Sequence, residues 1–381
     1  MPGEGAWYRH TGLLACELRE SQEARQLMKR YSASVIGGGS GGRLSLSALQ
    51  SSDRFEVRAI ADISPVAREA LARDYPGIAV FENHEIMFGE CPSDIVCVST
   101  WAPSHRAVAE AALRLPLTGI LVEKPLAETT LDGTMILEKI RARSLPVAVP
   151  HGLLVASHAA EILERVSSGE IGDLLLIEIE CAGWDIINAG IHWLNFSYVL
   201  NGSAPVRHVM AACDTSSRTY RDGVQVETEA VTYIQARNGV RIIMNTGDYV
   251  KTTREGKDTV FHVVGTRGAI EFWAWESAYR IVSPAHPSGI FVEVPRAPVA
   301  GHRRHLERLA EQMDKGVTDY GIAESSLAAL EMCEAAYLSC RHHCRVGLPL
   351  ASFVPPPPSD WQPGKPYSGT GGGRDGRNLP T

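Results

Sequence analysis

At 381 residues the chain is too long for one ordinary hydrophobic core, so two domains of unequal size are expected. A formal net charge of −7 gives no general attraction to a phosphate backbone or an anionic membrane surface, and no apolar run reaches bilayer-spanning length. Nucleic-acid and membrane partners are therefore not expected, and eight cysteines scattered from Cys16 to Cys344 point to reduced thiols in a cytoplasmic protein rather than a secreted disulfide scaffold.

Residues 1–30 lack a signal peptide's apolar core and read as a flexible extension. From 31 to 150, short β-branched runs alternate with amphipathic stretches. Strands are predicted over 34–36, 57–61, 94–98, 120–122 and 147–149, with helices around 65–74, 104–115 and 131–143. Strand, helix, strand repetition requires a parallel sheet covered on both faces. After 150 the pattern changes to one helix over 156–168, followed by longer alternating strands over 174–180, 206–212, 226–236, 240–245, 259–264 and 269–273. Asn238-Gly239 marks a hairpin between two of them. The fold class is thus α/β: an N-terminal Rossmann dinucleotide-binding domain over 31–150, then an α+β domain with a large, open, mostly antiparallel sheet over 151–350. Two helices, over 302–315 and 323–344, are expected to pack on either domain, and 351–381 is too rich in Pro and Gly to build a core and reads as a disordered tail.

The first strand runs into Gly37, Gly38, Gly39, Ser40, Gly41 and Gly42, a GxGxxG pattern with Gly37, Gly39 and Gly42 at its three positions. Placed between a strand and a helix, such a loop turns tightly and admits a pyrophosphate to its backbone and to the helix N-terminus. Asp62 follows twenty residues after Gly42, at the end of the second strand. A carboxylate there accepts hydrogen bonds from ribose hydroxyls and repels a 2′-phosphate, which favours NAD over NADP.

Further along, the 94–98 strand runs into Ser99-Thr100-Trp101-Ala102-Pro103-Ser104-His105, and the 120–122 strand into Glu123-Lys124-Pro125. With these segments the chain resembles the glucose-fructose oxidoreductase / inositol dehydrogenase / MocA family over about 34–349. The resemblance implies an NAD(P)-dependent oxidoreductase acting on a secondary hydroxyl or ketone of a sugar, inositol or sugar derivative. It places Thr100, Pro103 and His105 along the cofactor cleft with Glu123 and Lys124, and a cis bond between Lys124 and Pro125. A lysine at the carboxyl end of a parallel strand, partly desolvated beside a positive nicotinamide ring, has a lowered pKa and suits acid/base work.

The same resemblance sets His192 in the place of the family's catalytic histidine, in Asn188-Ala189-Gly190-Ile191-His192. The family carries aspartate where this chain has Asn188, and an asparagine orients an imidazole without stabilising its cation. Asp185 is near in sequence but at the wrong spacing to replace that carboxylate. The connection from 180 to 188 is also short, which implies an open pocket or one completed by another subunit. Trp184 and Trp193 flank it as candidates to stack on a sugar face, and Asp185 and Asn188 join them as candidate substrate contacts.

Other clusters carry less chemistry. Cys340, His342, His343 and Cys344 are read as thiols and surface groups of a packed helix, with no metal site. His302, Arg303, Arg304 and His305 are read as a solvated or interdomain helix face. A homodimer or homotetramer joined through the open sheet is expected. Two other functions fit the departure at Asn188: transient oxidation on a retained NAD with no net redox change, as in glycosidase- or epimerase-like enzymes, and non-catalytic nucleotide sensing.

Overall fold

The computed structural model describes residues 29–214, 219–252, 256–299 and 301–355. The expectations for an N-terminal extension and a C-terminal tail fall largely outside these residues.

The first sheet is parallel throughout, in the order β3-β2-β1-β4-β5-β6. Its strands are β1 (Tyr31–Ile36), β2 (Phe55–Ala61), β3 (Ala79–Phe81), β4 (Ile95–Val98), β5 (Gly119–Val122) and β6 (Val147–Ala148). The central β1, β4 and β5 are buried along their whole length, which is why they read as apolar runs rather than alternating ones. The chain passes from β1 outward to β3 and then returns to β4, so the carboxyl ends of β1 and β4 open a crevice at a topological switch point. The helices are α1 (Ser40–Gln50), α2 (Pro65–Asp74), α3 (His84–Glu90), α4 (Ala102–Ala112) and α5 (Thr130–Ala142). Ser64 caps α2 with Pro65 at its first turn, and Thr129 caps α5 by accepting the Asp132 amide. The short β3 and α3 had no counterpart in the sequence reading, because three and seven residues are too few to display a period.

After the first sheet come α6 (Ser157–Ser167), ahead of the second sheet, and α7 (Ile191–Leu200), which follows that sheet's first strand. The second sheet is built from β7 (Leu174–Ala182), β8 (Val206–Asp214), β11 (Glu229–Ala236), β12 (Arg241–Gly247), β13 (Thr259–Gly265), β14 (Ala269–Trp273), β15 (Ala278–Ser283), β16 (His286–Glu293) and β17 (Val346–Gly347). Their order is β16-β15-β14-β13-β7-β12-β11-β8-β17, and every neighbouring pair is antiparallel except the central β7–β12. A separate hairpin, β9 (Thr219–Arg221) and β10 (Val224–Val226), turns through Asp222-Gly223 with φ of 48° and 81°. Both residues occupy the left-handed region that a tight two-residue hairpin requires. The sequence reading passed over this turn, and it also missed β15 and β16. Pro287 and Gly289 interrupt the pattern of β16, which an edge strand tolerates.

The last helices go to different partners. In α8 (Gly301–Lys315), Leu306, Leu309 and Ala310 pack with Tyr31, Leu46 and Leu49 of the first sheet's layer. Asp314 binds the Tyr31 hydroxyl at 2.8 Å and Arg54 at 2.5 Å. In α9 (Gly321–His342), Ala329, Leu330, Met332, Cys333 and Ala336 join the core beneath the second sheet. The opposite face of that sheet stays partly open, with Met210 and Val231 about half exposed.

Two cysteine expectations meet the structure here. Cys213 at the end of β8 and Cys340 of α9 form a disulfide, with Cα atoms 5.9 Å apart, which corrects the reading of uniformly reduced thiols. The packing of β8 along α9 joins residues 127 apart, which spacing along the sequence cannot reveal. Among the described residues, no three His, Cys, Asp or Glu side chains come together as a metal site.

Candidate active site

The glycine loop after β1 is shaped by contacts that exclude side chains. Gly37 has φ 99°, and a Cβ there would lie 2.4 Å from the Ser99 carbonyl oxygen. A Cβ on Gly42 would lie 1.8 Å from the Gly37 oxygen, so helix and strand meet here only without one. Gly39, the N-cap of α1, has nothing within 4 Å of its Cβ position, which leaves open space over the N-terminus of a helix with no acidic residue in its first turn. Gly41 faces the Glu123 side chain, at 3.3 Å from its Cβ position. Asp62 accepts the Gly38 amide at 2.7 Å and the Ser64 amide at 2.8 Å, which ties the end of β2 to the glycine loop. This geometry fits a dinucleotide, with Gly37, Gly39, Ser40, Gly41, Gly42 and Asp62 gathered at one edge of the sheet.

Next along that edge, Thr100 accepts the Ser104 hydroxyl at 2.7 Å, and Pro103 is exposed in the first turn of α4. His105 does not face the cleft. It is buried, with Nε2 at 2.8 Å from the Thr100 carbonyl and Nδ1 at 2.9 Å from the Pro125 carbonyl. It fastens the loop after β4 to the loop after β5, which corrects its placement as a cofactor contact. Burial lowers its pKa more than those carbonyls raise it.

Lys124 stands at the carboxyl end of β5, and the Lys124–Pro125 bond is cis. Its Nζ donates to the Asn188 carbonyl at 2.9 Å. Burial pushes its pKa below 10.5, against opposing pulls from Glu123, Asp222 and Asp185. Asn188 thus meets Lys124 through its backbone, while its side chain turns back to Asp185 Oδ1 at 3.0 Å. The local fold explains this. Gly183 turns the backbone at φ 75°, Asp185 accepts the Asn188 amide at 2.7 Å, and Glu227 accepts the Ile186 amide at 2.7 Å. A single π-helical turn, Ile186–Gly190, then leads into α7, and a Cβ on Gly190 would press to 2.9 Å from the Met244 methyl. Asp185 is itself buried and pairs with Arg221 at 2.8 Å, so its charge is spent on the β9–β10 hairpin.

His192 follows on α7 with its Nδ1 buried and unpartnered. The His151 ring lies edge-on to it, with centroids 5.2 Å apart, and His151 Nε2 is 2.9 Å from Ser326 Oγ of α9. Burial, then Lys124, His151, His302 and His305, hold His192 well below its usual pKa. Burial, His305 and Lys124 do the same for His151. Both imidazoles are therefore neutral at physiological pH.

Of the two readings of the 302–305 cluster, a solvated or an interdomain face, its contacts depart from the solvated one. His302 Nε2 lies 2.6 Å from Glu123 Oε1, while Glu123 Oε2 accepts the Lys124 amide at 3.2 Å. Burial raises the Glu123 pKa, but His302 and then Lys124 outweigh it and hold the carboxyl below 4.5. His305 sits 3.2 Å from the His151 carbonyl, and Arg304 bonds the Val155 carbonyl.

The aromatic residues also rearrange the expectations. Trp193 is only 2% exposed, with its Nε1 at 3.3 Å from Cys181 Sγ, so it is a core residue and not a substrate contact. Trp184 is exposed, but the Arg221 guanidinium lies 4.5 Å over its ring. Trp275, at the turn after β14, is 50% exposed with its ring centroid 6.4 Å from His192. On the cofactor side, the tip of the β9–β10 hairpin rests on Trp101, where a Cβ on Gly223 would come within 2.7 Å of the ring. Sequence reasoning missed His151, Asp222 and Trp275, and read His302 only as part of a helix face. His151 had one usable signal, its position just past a parallel strand end. The others come from turns and helices with no motif.

Comparison with known proteins agrees with this architecture. Residues 32–151 match the family model described as an oxidoreductase family with an NAD-binding Rossmann fold, and residues 164–348 match that family's C-terminal alpha/beta domain. A D-apiose dehydrogenase from Paraburkholderia graminis is 22% identical over 346 residues, 82% of this chain and 88% of that protein. Among solved structures, an aldose-aldose oxidoreductase from Caulobacter crescentus complexed with glycerol superposes with a TM-score of 0.71 at 19% identity, covering 84% of this chain and all of that one. The WlbA dehydrogenase from Bordetella pertussis, in complex with NADH and UDP-GlcNAcA, gives 0.68 at 17% identity over 84% of this chain and 100% of that one. Since the two matched domains span most of the sequence, the chain belongs to the Gfo/Idh/MocA oxidoreductase family.

Proposed function

We propose that this protein transfers a hydride between NAD and the carbon of a secondary hydroxyl or ketone in a sugar, inositol or sugar derivative, with Lys124 as the acid/base and His192 assisting at the same oxygen. The observation that carries the reading is Lys124 itself: a desolvated amine at the ligand-binding edge of the sheet, aimed across the cleft to the Asn188 carbonyl and near His192. Bound nicotinamide supplies the hydride acceptor, or the donor in the reverse direction. In the oxidative direction the hydroxyl proton passes to the Lys124 lone pair as the C–H electron pair leaves with its hydrogen, so no protonated ketone forms. A neutral His192 accepts or donates one hydrogen bond to that oxygen without competing for the proton.

Gly37, Gly39, Ser40, Gly41 and Gly42 would hold the pyrophosphate, Asp62 the adenosine ribose, and Thr100, Pro103, Glu123 and Lys124 the nicotinamide side. The Asp62 charge favours NAD over NADP, in keeping with the NADH in the WlbA complex. A sugar-like substrate accords with the sugar names of the relatives. The half-open face of the second sheet suits a homodimer or homotetramer.

The test is reduced-nicotinamide absorbance over a panel of sugars, inositols and nucleotide sugars, after checking the purified protein for retained cofactor. Reduced cofactor that accumulates with substrate, and fails to do so in Lys124→Ala, supports the reading. Product formed on retained NAD without net reduction would assign the transient-oxidation alternative instead, and cofactor binding without conversion would assign nucleotide sensing.

A further inference from the structure

We propose that Trp275 is the sugar platform of the substrate subsite, lying flat against a ring sugar or cyclitol whose reacting hydroxyl reaches Lys124 and His192. The inference rests on the hydride-transfer reading above and adds the class of substrate: a ring with an apolar C–H face, rather than an acyclic polyol.

Three tryptophans surround the 184–193 turn, and their environments differ. Trp193 is buried against Phe261 and Cys181. Trp184 already carries the Arg221 guanidinium on its ring, and Arg221 is fixed by buried Asp185. Trp275 alone of these three combines exposure with a catalytic neighbour. One side of it is seated on Trp193, with centroids 5.4 Å apart, and it stands 6.4 Å from His192 at an interplanar angle of 76°.

The turn that carries Trp275 is held on both sides. Ala274 donates its amide to Thr259 at 3.1 Å and receives His158 Nε2 on its carbonyl at 3.1 Å, Glu276 donates its amide to Trp273 at 3.0 Å, and Lys257 pairs with Glu276. A fixed turn that leaves half an indole in water forgoes the burial that large aromatics normally gain. A rigid, half-open aromatic face beside a hydrogen-bonding imidazole is how a pocket orients a ligand with one apolar face and a rim of hydroxyls. The electron-rich face of the ring attracts the weakly positive C–H groups of such a ligand.

The experiment titrates the full-length, NAD-loaded protein with methyl β-D-glucopyranoside, myo-inositol and the acyclic polyol D-glucitol by calorimetry. Trp275→Ala is expected to weaken binding of the tighter ring probe about tenfold, the equivalent of about 1.4 kcal/mol. Trp275→Phe keeps an aromatic face, so its loss should stay under about threefold, and D-glucitol should change by less than about twofold in either variant. Equal ring-probe affinity in Trp275→Ala and wild type, an equal loss for D-glucitol, or no binding of either ring probe by the wild type would overturn the platform. The two readings fail separately. Lys124-dependent hydride transfer with unchanged binding in Trp275→Ala removes the platform alone. Ring-probe binding that depends on Trp275, without hydride transfer to any probe, removes the hydride-transfer reading alone.

Discussion

The two walls of the cleft are built in different ways. On the cofactor wall each group sits in a loop directly after a parallel strand: the glycine loop after β1, Asp62 after β2, Thr100 after β4 and Lys124 after β5. Parallel strands deliver their carboxyl ends to one edge, so the sheet alone gathers them. The facing wall has no such organising rule. It draws His192 from a helix, Asn188 from a π-helical turn, Trp275 from a strand turn and Asp222 from a hairpin. A strand-end wall is legible as motifs, whereas an assembled wall exists only once the core has formed.

Substitutions on the two walls should separate accordingly. The largest effect is expected for Lys124→Ala, which removes the proton acceptor and should lower kcat about 10³-fold, within the usual range for general acid–base groups. NAD titration should remain near wild type, and a variant that still turns over at a comparable rate would dissolve the contrast between binding wall and chemistry.

Next is His302→Leu. It strands the Glu123 carboxylate, 5% exposed, without its closest partner and should cost about 3 kcal/mol of stability, read as a fall in Tm. The sign with pH follows from the depressed Glu123 pKa. The contribution is complete above 4.5, the unfolded value, and is lost as pH falls through the lower folded value. The wild type should therefore lose its advantage over His302→Leu in acid, and a stability gap independent of pH would remove the explanation by the Glu123–His302 contact.

His192→Asn should reduce kcat by about 30-fold, less than the loss at Lys124, because it removes an orienting hydrogen bond rather than the base. The pH–rate profile distinguishes the two roles. Oxidation should decline as pH falls through the Lys124 pKa, which lies below 10.5, and no limb should appear near 6.5, since burial, with Lys124 nearby, keeps His192 neutral there. A limb near 6.5 that vanishes in His192→Asn would overturn that assignment.

The smallest effect should come from Asp62→Ser, which removes the charge opposing a 2′-phosphate and should shift the NAD-to-NADP preference by about tenfold. An unchanged preference would mean that the Asp62 contacts to Gly38 and Ser64 shape the loop without reading the ribose.

The legible part of the site follows the same division. The glycine loop, Asp62 and Glu123-Lys124-Pro125 each follow directly on a parallel strand, and that position was enough to gather them at one edge. Reading Asn188 as a missing carboxylate identified a real departure but not its geometry. The side chain caps inward to Asp185, and the backbone carbonyl meets Lys124. Trp193 read as a sugar contact because adjacency to His192 in sequence cannot say which side of α7 faces the cleft, and α7 is apolar nearly all round.

Sequence alone determined the strand-and-helix alternation, the cofactor loop and the position of Lys124, because period, glycine placement and strand ends are local properties. Tertiary structure decided which imidazoles lie together, that His302 closes on Glu123, that Cys213 meets Cys340, and which tryptophan stays open beside His192. Those contacts join segments tens to hundreds of residues apart, and their energies depend on burial that no single segment carries by itself.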